Sequence, residues 1–213
     1  MHELAVLISI LGVFLLGAIS PGPSFVVVSR IAISRSRTDG VMAAIGMGIG
    51  GFVFATIAVA GLTAMLLQVE WLNMVLRLAG GVYLLWLGIN IWRAAPEPLE
   101  VADTASERRQ STLWTSLLRA LFVQLSNPKT AIFYASMFAA LLPSPTPSWM
   151  FFALPPMLFL IEFGWYTVVA VGFSSRTPRA AYLRYKVWID RTAGAVVGAL
   201  GAKLMVDSAR SSA

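Results

Sequence analysis

Apolar residues in this chain run together for about twenty positions at a time, and most of its charge falls in the intervals between those runs. In hydrocarbon, every backbone N–H and C=O must find a partner within the protein, so only helices or a closed barrel can span a membrane. Six runs can be drawn, at roughly 4–29, 40–67, 71–92, 113–142, 149–173 and 188–207. Each is long enough as a helix to cross a hydrocarbon core of about 30 Å at about 1.5 Å per residue. Composition agrees: 58% of residues are hydrophobic, 12% are charged, and the mean hydropathy is +0.77. A soluble domain carries about twice that charge. The expected fold class is an all-α integral membrane protein with six transmembrane helices.

Composition also narrows the chemistry. There is no cysteine, which removes disulfides, thiol catalysis and thiolate metal sites. The single histidine, His2, lies at the terminus. No metal site, no cofactor and no enzymatic constellation of nucleophile and base is expected. A net charge of +6 and a pI near 10.2 raise the question of nucleic acid. The basic residues instead sit in short connections between apolar runs, the pattern of topology signals, so no nucleic-acid partner is expected. A cleavable signal peptide fits poorly, because Glu3 precedes the first apolar run and no Lys or Arg does.

The connections alternate in charge. The first holds Arg30, Arg35 and Arg37, the third Arg93, Arg108, Arg109 and Arg119, and the fifth Arg176, Arg179, Arg184, Lys186 and Arg191. The second and fourth hold none. The positive-inside rule makes the odd connections cytoplasmic and puts both termini outside the cytoplasm. Lys203 and Arg210 weigh against that. The stretch 94–112 is polar and proline-containing, and is expected to be a cytoplasmic linker between halves at 1–93 and 113–213.

Two runs are interrupted at matching places. Ser20-Pro21-Gly22-Pro23 breaks the first, and Asn127-Pro128-Lys129 breaks the fourth, preceded by Ser126, 106 positions after Ser20. Proline removes a donor and clashes with the preceding turn. Paired breaks in the two halves of a membrane protein point to a transport site. A second correspondence joins Arg77-Leu78-Ala79-Gly80 to Arg191-Thr192-Ala193-Gly194. Three spans per half force opposite orientations, giving a three-plus-three inverted repeat with broken helices one and four. Gly46 and Gly50, and Gly194 and Gly198, place small residues on one helix face for close packing, as does Gly80. Such faces also permit a homodimer. The tryptophans mostly fall near the ends of the spans, as an anchoring belt in membrane lipid would.

The breaks and two charges carry the candidate chemistry. Ser20 is expected to cap the helix that resumes after the first break, and Asn127 the one after the second, with Pro128 at its first position. Free N–H groups at such helix starts suit a carboxylate. Lys129 and Glu162 lie inside apolar runs, where charge is rare and faces a cavity. Glu162 has three open roles: binding an ammonium, carrying a coupling proton, or pairing with Lys129. Asp39, Asp190 and Arg191 sit at expected helix ends, where solvated capping is the default. Gln124, Asn90 and Asn73 are weaker polar candidates.

These motifs carry a resemblance. Ser20-Pro21-Gly22-Pro23, the Gly40…Gly46…Gly50 spacing, Arg77-x-x-Gly80…Tyr83-Leu84-x-Trp86-Leu87-Gly88 and Asn127-Pro128-Lys129 together resemble the bacterial lysine/threonine exporter family, the LysE/RhtB type. The match runs from about residue 4 to 207. It implies an inner-membrane exporter of amino acids or close analogues, driven by proton antiport, with the Pro-Gly-Pro and Asn-Pro-Lys positions as substrate-binding or gating elements. Glu162 matches more loosely, and Asp39 before Gly40 departs from the usual glycine motif. The competing expectation is a metal or inorganic-ion exporter on a related six-span plan, which would call for acidic or histidine clusters within the spans.

Overall fold

Six apolar runs yield eight helices among the described residues, because proline cuts two of the runs. The computed structural model describes residues 2–66, 70–98, 112–143 and 145–210. In chain order the helices are α1 (His2–Ile19), α2 (Pro23–Ser34), α3 (Arg37–Leu66), α4 (Glu70–Ala94), α5 (Leu113–Leu125), α6 (Pro128–Leu141), α7 (Ser148–Phe173) and α8 (Arg176–Arg210). No strand occurs among the described residues. Residues 37–61 of α3 and all of α7 are long and apolar enough to cross a membrane, and α1 with α2 makes a third such unit, bent by 58° at its break. Most of the expected linker, 99–111 with Arg108 and Arg109, lies outside the described residues, as do the side chains of Asn73 and Arg77.

Both broken runs resume on a proline at the first helical position, where the missing N–H costs nothing. The half-helices then pair across the two runs. α2 and α5 lie antiparallel, fixed at one end by Ser24 donating to Gln124 (2.6 Å) and at the other by Arg35 donating to Ser116 (3.1 Å). α1 packs on α6 through Phe14, whose ring lies 5.3 Å from Phe133 and 4.5 Å from Tyr134. Two long pairs flank this crossing: α3 against α7, and α4 against α8.

In lipid, apolar burial does not drive helices together, so close approach through small residues must. The α4–α8 seam is built that way. A methyl group on Gly194 would come within 2.7 Å of the Gly88 carbonyl oxygen, and one on Gly88 within 2.6 Å of the Gly198 Cα. On the other side, Gly46 lies against Leu117 and Ala120 of α5, and Gly50 against Gln124. Gly80 lies against Ser136 of α6. These glycine faces are therefore occupied within the chain, not free to receive a second copy.

One expected boundary moves. The last run reads as a span opening at 188, but α8 begins at Arg176, three turns earlier. Tyr182 draws this segment in, with its ring 5.1 Å from Phe25 and 5.4 Å from Phe173. Lys186, counted among the loop charges, is consequently buried. The apolar side chains form two clusters. One gathers Phe14, Leu84, Phe138 and Leu158; the other gathers Phe25, Met47, Tyr166 and Phe173. Along α7, Glu162 falls between them, at the level of the breaks.

Candidate functional site

The two breaks meet. The helix after the first runs 12 residues, and the helix before the second runs 13. Antiparallel pairing of α2 and α5 therefore puts both breaks about 18–20 Å from the same end of the bundle. A methyl group on Gly22 would lie 3.7 Å from the Lys129 ammonium, so the second break's cation rests on the first break's backbone.

The breaks are capped differently. Asn127 caps α6, its side-chain oxygen accepting from the Lys129 backbone N–H at 3.1 Å. At the first break the expected cap by Ser20 does not form. The capping position is Gly22, in extended conformation and without a side-chain cap, because α2 starts at Pro23 and leaves Ser20 two residues too early. The Gly22 carbonyl accepts from Val26 N–H at 3.0 Å, and the freed Ile19 carbonyl receives the Tyr182 hydroxyl at 3.4 Å. The start of α2 thus keeps its amides uncapped beneath the Lys129 ammonium.

Glu162 closes the site from α7. It is only 6% exposed, and both carboxylate oxygens are engaged. Tyr134 donates to Oε1 at 2.7 Å, and Gln124 donates to Oε2 at 2.6 Å through its amide nitrogen. The Gln124 amide oxygen accepts from Ser24 at 2.6 Å. That bond orients the amide, so its N–H₂ must face the carboxylate. Of the three roles open to Glu162, pairing with Lys129 is not the one adopted; its partners are Tyr134 and Gln124. Gly51 leaves the room for this cluster: a methyl group there would sit 2.8 Å from both the Glu162 Cδ and the Tyr134 hydroxyl.

Two cavities flank Lys129. An inner one of about 60 Å³ is walled by Gly22, Pro23, Asn127, Tyr134 and Glu162. That is space for a few waters. A wider vestibule of about 660 Å³ opens between the end of α4 and the stretch of α8 at Lys186 and Asp190, past Pro21, Pro128, Trp86 and Asn90. Ser20, Leu87, Ile91 and Lys129 border both cavities. Tyr83, also in the vestibule wall, donates to the Lys129 carbonyl at 3.2 Å and ties α4 to the second break.

Three residues expected as minor or solvated turn out otherwise. Gln124 is buried at the centre of the cluster. Asp39 is not merely a solvated cap; it accepts from the fully buried Ser116 at 2.8 Å, joining α3 to α5. Asp190 lies inside α8, buried and bonded to Lys186 at 2.8 Å. Its position in the run hid this, because α8 starts earlier than the run does. Ser24 and Tyr134 carried no distinguishing sequence signal beyond polarity near a break. No group of three or more His, Cys, Asp or Glu side chains converges among the described residues.

Known proteins bear on this arrangement. The chain is 34% identical to the threonine efflux protein of Escherichia coli (strain K12) over 197 residues, covering 91% of this chain and 94% of that one. It is 33% identical to the leucine efflux protein of Klebsiella pneumoniae over 156 residues, covering 70% and 72% of the two chains. An uncharacterized membrane protein of Haemophilus influenzae is 28% identical over 191 residues, or 89% and 91%. No solved structure matches. The model of the LysE type translocator family matches residues 15–208, so the paired breaks and the cluster between them belong to a transporter: the chain is a member of the LysE type translocator family.

Proposed function

We propose that the protein exports amino acids across the bacterial inner membrane by proton antiport, and that the paired breaks form its substrate site. One observation carries this reading: an uncapped helix start under Lys129 and the Glu162 carboxylate face the same inner cavity. A helix start with a cation suits a carboxylate, and a buried carboxylate suits an ammonium. The two together complement the ends of an α-amino acid. Relatives named for threonine and leucine efflux support that substrate class.

The inner cavity admits waters but not an amino acid, so loading requires the half-helices to part. We read the fold as six spans in an inverted repeat, with halves at 1–93 and 113–213 joined by 94–112. Two matching ties support it. Ser116 near the start of α5 bonds Asp39 near the start of α3, while Trp149 at the start of α7 donates to Glu3 at the start of α1 at 3.0 Å. The charge pattern supports a cytoplasmic vestibule with both termini on the other side.

Glu162 is the proposed coupling residue. As a carboxylate it accepts from Tyr134 and Gln124; a substrate ammonium or a proton would compete for the same oxygens. The reading is tested by reconstituting the protein in vesicles with an imposed pH gradient and following L-threonine and L-leucine. Gradient-dependent movement of at least one is expected, and movement of neither rejects the assignment. In Glu162→Gln, transport driven by the pH gradient is expected to be lost and the residual movement of substrate to show a flattened pH dependence. A wild-type pH profile in that variant removes Glu162 from coupling.

A further inference from the structure

The substrate site just proposed uses Lys129 and Glu162 and leaves the α8 wall of the vestibule without a role. That wall holds Asp190, 3% exposed, on α8. Its Oδ2 accepts from Lys186 at 2.8 Å, and Lys186 spends a second donor on the Ala95 carbonyl at 3.1 Å. Its Oδ1 is buried with no hydrogen-bond partner. A buried carboxylate oxygen without a donor is rare and calls for a ligand, a water or an ion. Neighbouring Arg191 does not supply the donor, since its guanidinium sits 5.6 Å over the Trp92 ring. Lys129 borders the same cavity.

Asp190, with one carboxylate oxygen still lacking a donor, and the Lys129 cation thus border one vestibule; Glu97, also in its lining, is exposed to solvent. Trp86, Leu87 and Ile91 supply apolar surface, and about 660 Å³ is available. A lone anion or a lone cation would leave one of the two groups unanswered. A zwitterion with both charged groups on one carbon answers both, and the apolar walls leave its side chain free.

We propose that the vestibule is a binding station in its own right, where an α-amino acid docks with its ammonium on Asp190 and its carboxylate on Lys129. This deepens the export reading and rests on it. Because Lys129 borders both cavities, it keeps the carboxylate while the ammonium passes from Asp190 to Glu162. Lys186 holds the Asp190 carboxylate in place and stays with it throughout.

The absence of cysteine makes the station directly observable. In the purified full chain carrying Asn90→Cys, a maleimide reports access to the vestibule wall. The same labelling is done with Glu162→Gln added, so that the inner site is disabled. At several times the dissociation constant, L-leucine or L-threonine is expected to slow labelling by about fivefold in both backgrounds, since protection follows site occupancy. N-acetyl-L-leucine and L-leucinamide, each lacking one charge, are expected to give no protection. Adding Asp190→Asn is expected to abolish protection by the free amino acids. Three results overturn the station: no protection in the Glu162→Gln background, equal protection by the blocked analogues, or protection that survives Asp190→Asn. The analogue arm needs no Asp190 variant, so a misfolded Asp190→Asn protein leaves it decisive. Wild-type vesicles that transport while labelling goes unprotected reject the station alone. Protection without transport rejects the export reading and keeps the station.

Discussion

The two helix breaks solve one problem in different ways. Each starts a new helix on a proline, and each frees backbone groups that must find partners in the protein or in a cavity. The second is finished by its own side chain, with Asn127 bonding the Lys129 N–H. The first has no such cap; Gly22 opens α2, and a tyrosine more than 160 positions away serves the Ile19 carbonyl. A capped helix start is self-sufficient. An uncapped one keeps its positive end for another group, and here the cation delivered by the capped break lies beside it. In the proposed site this difference makes the second break the anchor and the first the binding surface.

The largest test of this comparison is Lys129. If it holds a substrate carboxylate over α2, Lys129→Met removes a charged hydrogen bond of about 3 kcal/mol, which is about a hundredfold in transport. Vesicle transport of L-threonine measures it, with Lys129→Arg expected to retain part of the rate. Near wild-type transport in Lys129→Met would return the lysine to a packing role.

A smaller effect is expected at Gly51, which leaves space for the carboxylate cluster. Gly51→Ala crowds Glu162 and Tyr134 at a cost of about 1–2 kcal/mol, giving about tenfold slower transport. The thermal midpoint and the transport rate should fall together. An unchanged rate would mean that the cluster can shift without loss, and that its tight geometry is not what transport requires.

The smallest test contrasts the caps themselves. Asn127→Ala removes a side-chain cap worth about 1 kcal/mol, expected to lower the melting temperature by about 2–4 °C. Ser20→Ala removes no cap, and its melting temperature is expected to match the wild type. Equal shifts for the two variants would erase the distinction between the breaks.

Much of the frame was legible in the sequence because its causes are local. Apolar length announces a helix in lipid, proline announces an interruption, and Asn-Pro announces a capped restart. The boundaries of α3, α4 and α7 fall within a few residues of the runs that predict them. One expectation failed on local register: Ser20 reads as a cap, yet α2 opens at Pro23. The others failed where a distant residue decided the outcome. Residues 176–187 read as a charged loop, yet Tyr182 packs between Phe25 and Phe173 and carries the segment into a helix. Lys186 reads as a topology signal, yet it is buried with Asp190.

The candidate site divides along the same line. Glu162 and Lys129 stand out because a charge in an apolar run is costly wherever the helix faces. Gln124, Tyr134 and Ser24 do not, because neutral polar residues are tolerated and only orientation gives them a role. Helices that are apolar nearly all round, such as α3 and α7, carry no periodic contrast to tell which side faces a neighbour. Sequence alone thus determined where the backbone breaks and which charges must be sheltered, through chain-local sterics and solvation. The tertiary structure alone decided that the breaks meet, that Gln124 and Tyr134 hold Glu162, and that Asp190 and Lys129 border one vestibule. The reason is physical: in lipid, the faces that touch are chosen by glycine-sized close approach and by polar pairing between helices, and both are properties of two surfaces together rather than of either one.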